Sequence, residues 1–207
     1  MATPPKPSLT AERIETAALE LIDQGGLEGF SVRKLADRLG CQAMSLYHHY
    51  PSKAHLLDAL LDRLLLGAPL LDPGWPWRER MLHAARAFRR IALAHPRFFP
   101  FVATHRMNTR VGLDWLEGVL DIYRASGLDG EAAARRFRIF GYFLMGAGLD
   151  ETAGYSAGAS AANAVPDDEV AALFPNVAAA GRWFQPSERE ATFELGLTIL
   201  LAGLHQG

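Results

Sequence analysis

Residues 33–53 carry, at close spacing, side chains that read base edges and hold phosphates. Arg33 offers a guanidinium whose fork matches O6 and N7 of guanine, and Gln42 an amide that matches N6 and N7 of adenine. Ala43 and Met44 supply apolar groups suited to the methyl of thymine. Lys53 follows Ser52 at the start of a helical run, where an ammonium and the free N–H groups of a helix N-terminus together suit a phosphate. Four cations in this stretch (Arg33, Lys34, Arg38, Lys53) stand against one carboxylate, Asp37, although the whole chain has a formal charge of −2. Affinity for DNA needs a local basic surface and not a basic protein.

Two short helices must position these groups. Ser31 is a suitable N-cap, and Val32, Leu35, Ala36 and Leu39 follow at the spacing of one apolar helix face. Gly40 tolerates the left-handed conformation that ends such a helix. Cys41 offers the core a small apolar side chain, and a second short helix is expected over 42–49. There Ala43, Leu46 and Tyr50 suit the inner side, which leaves Met44, Ser45, Tyr47 and His48 facing outward. A helix, a glycine turn and a second helix with an uneven outer face form a helix-turn-helix over 31–50, the arrangement that lays its second helix in the DNA major groove.

The wider stretch 10–66 resembles the TetR family of bacterial transcriptional regulators. The resemblance rests on an arginine-and-aliphatic first helix (Arg13, Ile14, Ala17, Ala18, Leu21, Ile22), then Gly25-Gly26 and Phe30-Ser31-Val32. It continues through Leu35-Ala36, Leu39-Gly40, Leu46-Tyr47-His48-His49-Tyr50, Ser52-Lys53 and Leu56-Leu57. Within the family it is similar to the tetracycline-repressor branch. The resemblance implies that Arg33 reads a base, that Gln42, Ala43, Met44 and Ser45 begin the recognition helix, and that Tyr47, His48 and His49 touch the DNA backbone. It also implies that Lys53 anchors a phosphate.

Helical periodicity continues through the rest of the 207 residues, and no β-type alternation competes. The expected fold is all-α: a DNA-binding part over 8–68, joined through a leucine-rich helix to a larger part over 69–207. Helices are expected over 11–24, 77–94, from Asp129 to about 148, from Pro166 to about 180, and from a capping box at Ser187–Glu190 onward. Residues 153–164, nearly all Ala, Gly, Ser and Asn, read as a loop, and the proline-rich N-terminus as an arm. The helices over 132–148 and 187–204 are apolar on more than one face and carry Gly141, Gly146, Gly148, Gly196 and Gly203. In the family the corresponding helices pair between subunits, so a homodimer is expected, with Leu197 and Leu200 at the contact. A dimer also suits a palindromic operator, because one short helix reads few bases.

Other chemistries find little support. No phosphate-binding glycine loop, nucleophile elbow or metalloprotease motif is present. His48 and His49 are adjacent on a helix and face different ways, so they make poor co-ligands, and no metal or cofactor is expected. A single cysteine fits a reducing cytoplasm, and no uncharged apolar run reaches the about 18 residues of a membrane span. A small helical enzyme and a ligand-free architectural DNA-binding protein are the rival readings. Against the latter stands a large aromatic-rich second part, which the family uses to bind a small effector. The resemblance to the tetracycline-repressor branch extends through Gly141-Tyr142-Phe143-Leu144-Met145-Gly146. It implies Tyr142 where those repressors place a magnesium-binding histidine and Met145 where they place a hydroxyl. Both are poor ligands for a hard ion, so a metal-free hydrophobic or aromatic effector is expected. Its pocket is expected among Phe101, His105, Trp115, Leu116, Tyr123, Tyr142 and Met145. The resulting expectation is a cytoplasmic, ligand-responsive repressor.

Overall fold

Local capping rules set the ends of the early helices. The computed structural model describes residues 8–153 and 165–204. Most of the N-terminal arm, nearly all of the 153–164 stretch and His205 lie outside the described residues. Helix α1 (Ala11–Gly29) opens on Thr10, whose hydroxyl accepts from the Arg13 N–H at 3.3 Å. It extends beyond the expected 11–24, but Gly26 leaves helical geometry at φ 70°, so the chain bends at the Gly25-Gly26 pair. Helix α2 (Val32–Leu39) has Ser31 accepting from the Lys34 N–H at 3.2 Å and stops at Gly40, which is left-handed at φ 66°. Helix α3 (Ala43–Tyr47) is shorter than expected, and α4 (Lys53–Leu66) is capped by Ser52. Further along lie α5 (Trp77–Ala94), α6 (Phe99–Thr104), α7 (Arg110–Ala125) and α8 (Gly130–Ala153). They are followed by α9 (Asp167–Leu173), α10 (Pro175–Ala180) and α11 (Arg189–Ala202). No strand occurs among the described residues.

The chain divides into two compact units, one reaching Pro69 and including Ala94–Gly118, the other made of Leu70–Leu93 and the chain from Val119 onward. In the first, Ile14, Ala18 and Ile22 of α1, Leu35 and Ala36 of α2, Leu46 of α3 and Leu56, Leu60 and Leu65 of α4 are buried. Phe98, Phe99 and Val102 add to that core. The segment 94–118, assigned in the sequence to the larger part, is tied here to the early helices. His95 Nδ1 lies 2.8 Å from Asp23 Oδ2, His105 Nε2 lies 2.7 Å from Asp58 Oδ1, and Thr109 donates to Asp62.

The second unit buries Met81, Ala85 and Phe88 of α5 against an aromatic and leucine core that includes Tyr123, Phe140, Phe193, Leu197 and Leu201. Arg89 of α5 holds Glu151 of α8 through Nε, at 2.9 and 3.2 Å from the two carboxylate oxygens, and its guanidinium lies 4.7 Å from the Phe193 ring. Three expectations are corrected. The helix from Pro166 breaks at Phe174, because Pro175 has no N–H to continue the ladder. The capping box does not form: α11 begins at Arg189 without a side-chain cap, and Glu190 pairs with Arg89 instead. Leu197 is 0% exposed within its own protomer, while Leu195 and Ile199 on the same helix are 60% and 61% exposed.

Candidate nucleic-acid interface

Helix α3 rests on the first unit through one buried side chain, Leu46, and turns Met44 and Tyr47 outward. Gln42, Met44, Tyr47, His48 and His49 are exposed, and Ala43 and Ser45 are half-buried. Arg33 is exposed at the start of α2, and no hydrogen bond or ion pair among the described residues involves it. A guanidinium without an internal partner keeps its whole fork for an external acceptor.

The other cations of the motif are already engaged. Lys34 Nζ donates to the Gly29 carbonyl at 2.7 Å, and Arg38 pairs with Glu20 on α1. Lys53 Nζ donates to the carbonyls of Phe30 at 3.1 Å and Leu27 at 3.4 Å, and lies 5.3 Å from the centre of the Phe30 ring. Lys53 therefore fastens α4 to the bend between α1 and α2. An ammonium has three donors, so this bracing leaves one for a phosphate.

One polar cluster in this unit is not visible in the sequence pattern. The Tyr50 hydroxyl donates to Glu15 Oε1 on α1 at 2.6 Å, and Arg63 Nη1 on α4 lies 3.4 Å from Glu15 Oε2. The same Nη1 donates to the Glu12 carbonyl at 3.0 Å. Tyr50, expected on the inner side, is half-buried, and its phenol pKa is raised by burial first and by Glu15 second. The available signal was that an inward-facing phenol needs a hydrogen-bond partner.

The residues expected to line an effector pocket fall in both units. In the first, the Phe101 and His105 rings stack with centres 4.2 Å apart, Trp115 Nε1 donates to the Ala68 carbonyl at 3.3 Å, and Leu116 is half-buried. In the second, Tyr123 is buried with its ring edge-on to Phe140 at 5.9 Å and Phe137 at 6.4 Å, and its phenol pKa is raised by burial. Tyr142 is 63% exposed and accepts from Arg138 Nε at 2.8 Å, while Met145 is half-buried. The second unit holds a cavity of about 540 Å³ lined by Phe143, Gly146, Asp150, Trp183, Arg189 and Phe193 among others, and by none of the seven expected residues. Among the described residues no group of three His, Cys, Asp or Glu side chains is placed to hold a metal ion, and no helix is long and apolar enough to cross a membrane.

Comparison with known proteins matches this geometry. Residues 14–60 match the model of bacterial regulatory proteins of the tetR family, and residues 68–207 that of the tetracyclin repressor-like C-terminal domain. The class A tetracycline repressor from transposon 1721 of Escherichia coli is 34% identical over 196 residues, covering 91% of this chain and 87% of the relative. A possible TetR family transcriptional regulator from Streptomyces coelicolor superposes with a TM-score of 0.76 at 28% identity, covering 94% of this chain and 98% of the other. ActR of Streptomyces coelicolor, solved in complex with actinorhodin, superposes with a TM-score of 0.73 at 28% identity, covering 96% and 97%. An outward-facing recognition helix on a helix-turn-helix, an all-helical body and matches that together span almost the whole chain lead to one conclusion: the chain belongs to the TetR family of bacterial transcriptional regulators.

Proposed function

We propose that this protein is a cytoplasmic, homodimeric repressor that binds a palindromic operator and leaves it when a small hydrophobic or aromatic molecule binds. The operator-binding part comprises residues 8–68, and residues 69–207 bind the effector and the second subunit. The observation that carries the reading is the outer surface of α3 together with Arg33. Gln42, Met44, Tyr47, His48 and His49 all point away from the protein, and Arg33 spends no donor on it. Arg33 and the residues from Gln42 to Ser45 read bases, and Tyr47, His48, His49 and Lys53 contact phosphates. The protein carries out no catalysis and needs no metal or cofactor.

The dimer forms through α8 and α11. Ile139 and Tyr142 of α8 and Leu195 and Ile199 of α11 are large apolar or aromatic side chains left exposed in one protomer. Effector binding shifts the operator-bound and operator-free conformations only as far as its affinities for the two differ. The relatives named as tetracycline repressors and the ActR solved in complex with actinorhodin support a small-molecule effector.

Selection from random duplex DNA with the purified full chain tests the proposal. It should recover a two-fold symmetric site whose half-sites lie a helical turn or a multiple of one apart. Recovery of no preferred sequence would refute it. Isothermal titration against polycyclic aromatic compounds and against magnesium-tetracycline then tests the effector class. Strictly magnesium-dependent binding would overturn the metal-free assignment.

A further inference from the structure

A helix of five residues cannot fix its own direction, because so short a segment has little helical stability of its own. Helix α3 has no side-chain N-cap and only one buried residue. What holds its far end is Tyr50. The Tyr50 N–H donates to the Leu46 carbonyl at 2.9 Å, so its backbone continues directly from the helix. Its hydroxyl is held by Glu15 of α1 at 2.6 Å, and Glu15 in turn faces Arg63 of α4, which also grips the Glu12 carbonyl. The Glu15 side chain is only 17% exposed, so its charge is compensated by Arg63 and by the phenol and only weakly by water. Packing alone would not require this hydroxyl, since a phenyl ring fills the same space.

We propose that Tyr50, Glu15 and Arg63 form a positioning network that sets the direction of the recognition helix, so that discrimination between DNA sequences depends on three side chains that read no base. Base-edge hydrogen bonds weaken steeply with misalignment, whereas attraction to the phosphate backbone follows charge and tolerates small rotations. Loss of the network should therefore reduce sequence-specific binding and leave non-specific binding in place. The proposal rests on the operator-binding reading above.

The test uses the full-length dimer and two duplexes: the one recovered by selection with wild-type protein, and a scrambled duplex of the same composition. Fluorescence anisotropy is measured over a range of salt for Tyr50→Phe, Glu15→Gln and the double variant. Tyr50→Phe should weaken binding to the selected duplex by about fivefold to tenfold, on the scale of the net contribution of one hydrogen bond. Binding to the scrambled duplex should change less than about twofold, with an unaltered salt slope, because no phosphate contact is lost. The double variant should lose less than the sum of the two single variants, because one removes the donor and the other the charge of the acceptor of the same Tyr50–Glu15 bond. A second measurement needs no DNA: Arg63→Met on α4 should speed amide exchange across residues 43–50 relative to the rest of the unit. Equal losses on both duplexes, a reduced salt slope, additive single effects or unchanged exchange over 43–50 would each overturn the network. If wild-type protein selects no duplex, the operator reading fails, and the exchange measurement still decides the network.

Discussion

Gly196 marks a close approach of α11 to α8, and adding one methyl group there gives a test of sign. A Cβ at Gly196 would lie 2.5 Å from both Cε2 and Cζ of Phe143, whereas non-bonded carbons settle at about 3.5–4.0 Å. The Phe143 ring must therefore move by roughly 1 Å or more. That ring is stacked on Phe193 with centres 5.5 Å apart. Disturbing such a pair costs ~0.5–1.5 kcal/mol, and forcing extra volume into a packed site costs ~1–3 kcal/mol. The cavity beside Phe143 gives the ring room to tilt, which holds the cost near the lower end. Replacing glycine by alanine inside a helix returns ~0.8–1 kcal/mol of propensity. The balance is a net loss of about 1 kcal/mol for Gly196→Ala, or ~2–4 °C in Tm for a chain of this size. The same change at Gly25, where an added Cβ meets nothing within 4 Å, has only the favourable contribution and should raise stability. Thermal unfolding is compared at matched protein concentration, because a dimer's Tm depends on it. A Gly196→Ala protein as stable as wild type or more so would show that the two helices do not approach as closely as the structure places them.

Other outcomes follow from the same reasoning. Leu195→Glu with Ile199→Glu, both exposed in one protomer, should leave the fold intact and convert dimers to monomers in sedimentation, whereas Leu197→Glu should abolish folding because it buries an unpaired carboxylate. Arg33→Ala should cost ~1–3 kcal/mol and relax the choice at one base position, while Tyr47→Phe combined with Lys53→Ala should weaken binding to all sequences and flatten its salt dependence, both read by titration of operator and scrambled DNA. Burial raises the phenol pKa of Tyr123, and burial and then Glu15 raise that of Tyr50, so each stays protonated in the folded protein after the unfolded chain, with tyrosines near ~10, has begun to ionise. Their contribution to stability is complete below about pH 10 and falls as the pH rises above it; urea unfolding at about pH 8 and pH 11 should show a loss that is smaller in Tyr123→Phe.

What was legible in the sequence was mostly local. Thr10, Ser31, Ser52 and Asp129 each accept from the backbone N–H three residues later, and Gly40 takes the left-handed turn, because these interactions depend only on nearby residues. The outward direction of Met44 and Tyr47 follows from Leu46, whose apolar side chain points inward. Interactions across long sequence separations were not legible. Nothing near Arg38 says that Glu20 will hold it, and nothing near Lys53 says that it will reach the Phe30 carbonyl. The Ser187–Glu190 signature was a real local preference, but Arg89, a hundred residues earlier, takes the glutamate. Pro175 could have been read as a break within the 166–180 helix, since its ring removes a donor wherever it falls. The surroundings of the aromatic residues were the least legible, because an aromatic on a helical stripe looks the same whether it fills a core, as Tyr123 does, or faces outward, as Tyr142 does.

The only cysteine of the chain, Cys41, sits in the turn between α2 and α3 and is half-exposed. It makes the natural protein a ready spectroscopic instrument. A thiol-specific spin label would attach once per subunit, beside the recognition helix, without any cysteine having to be removed first. In a dimer the two labels would report a single distance, the separation of the two reading heads, in frozen solution with DNA, with effector or with neither. The quantity that decides whether two heads span successive grooves would then be measured directly on an unaltered sequence.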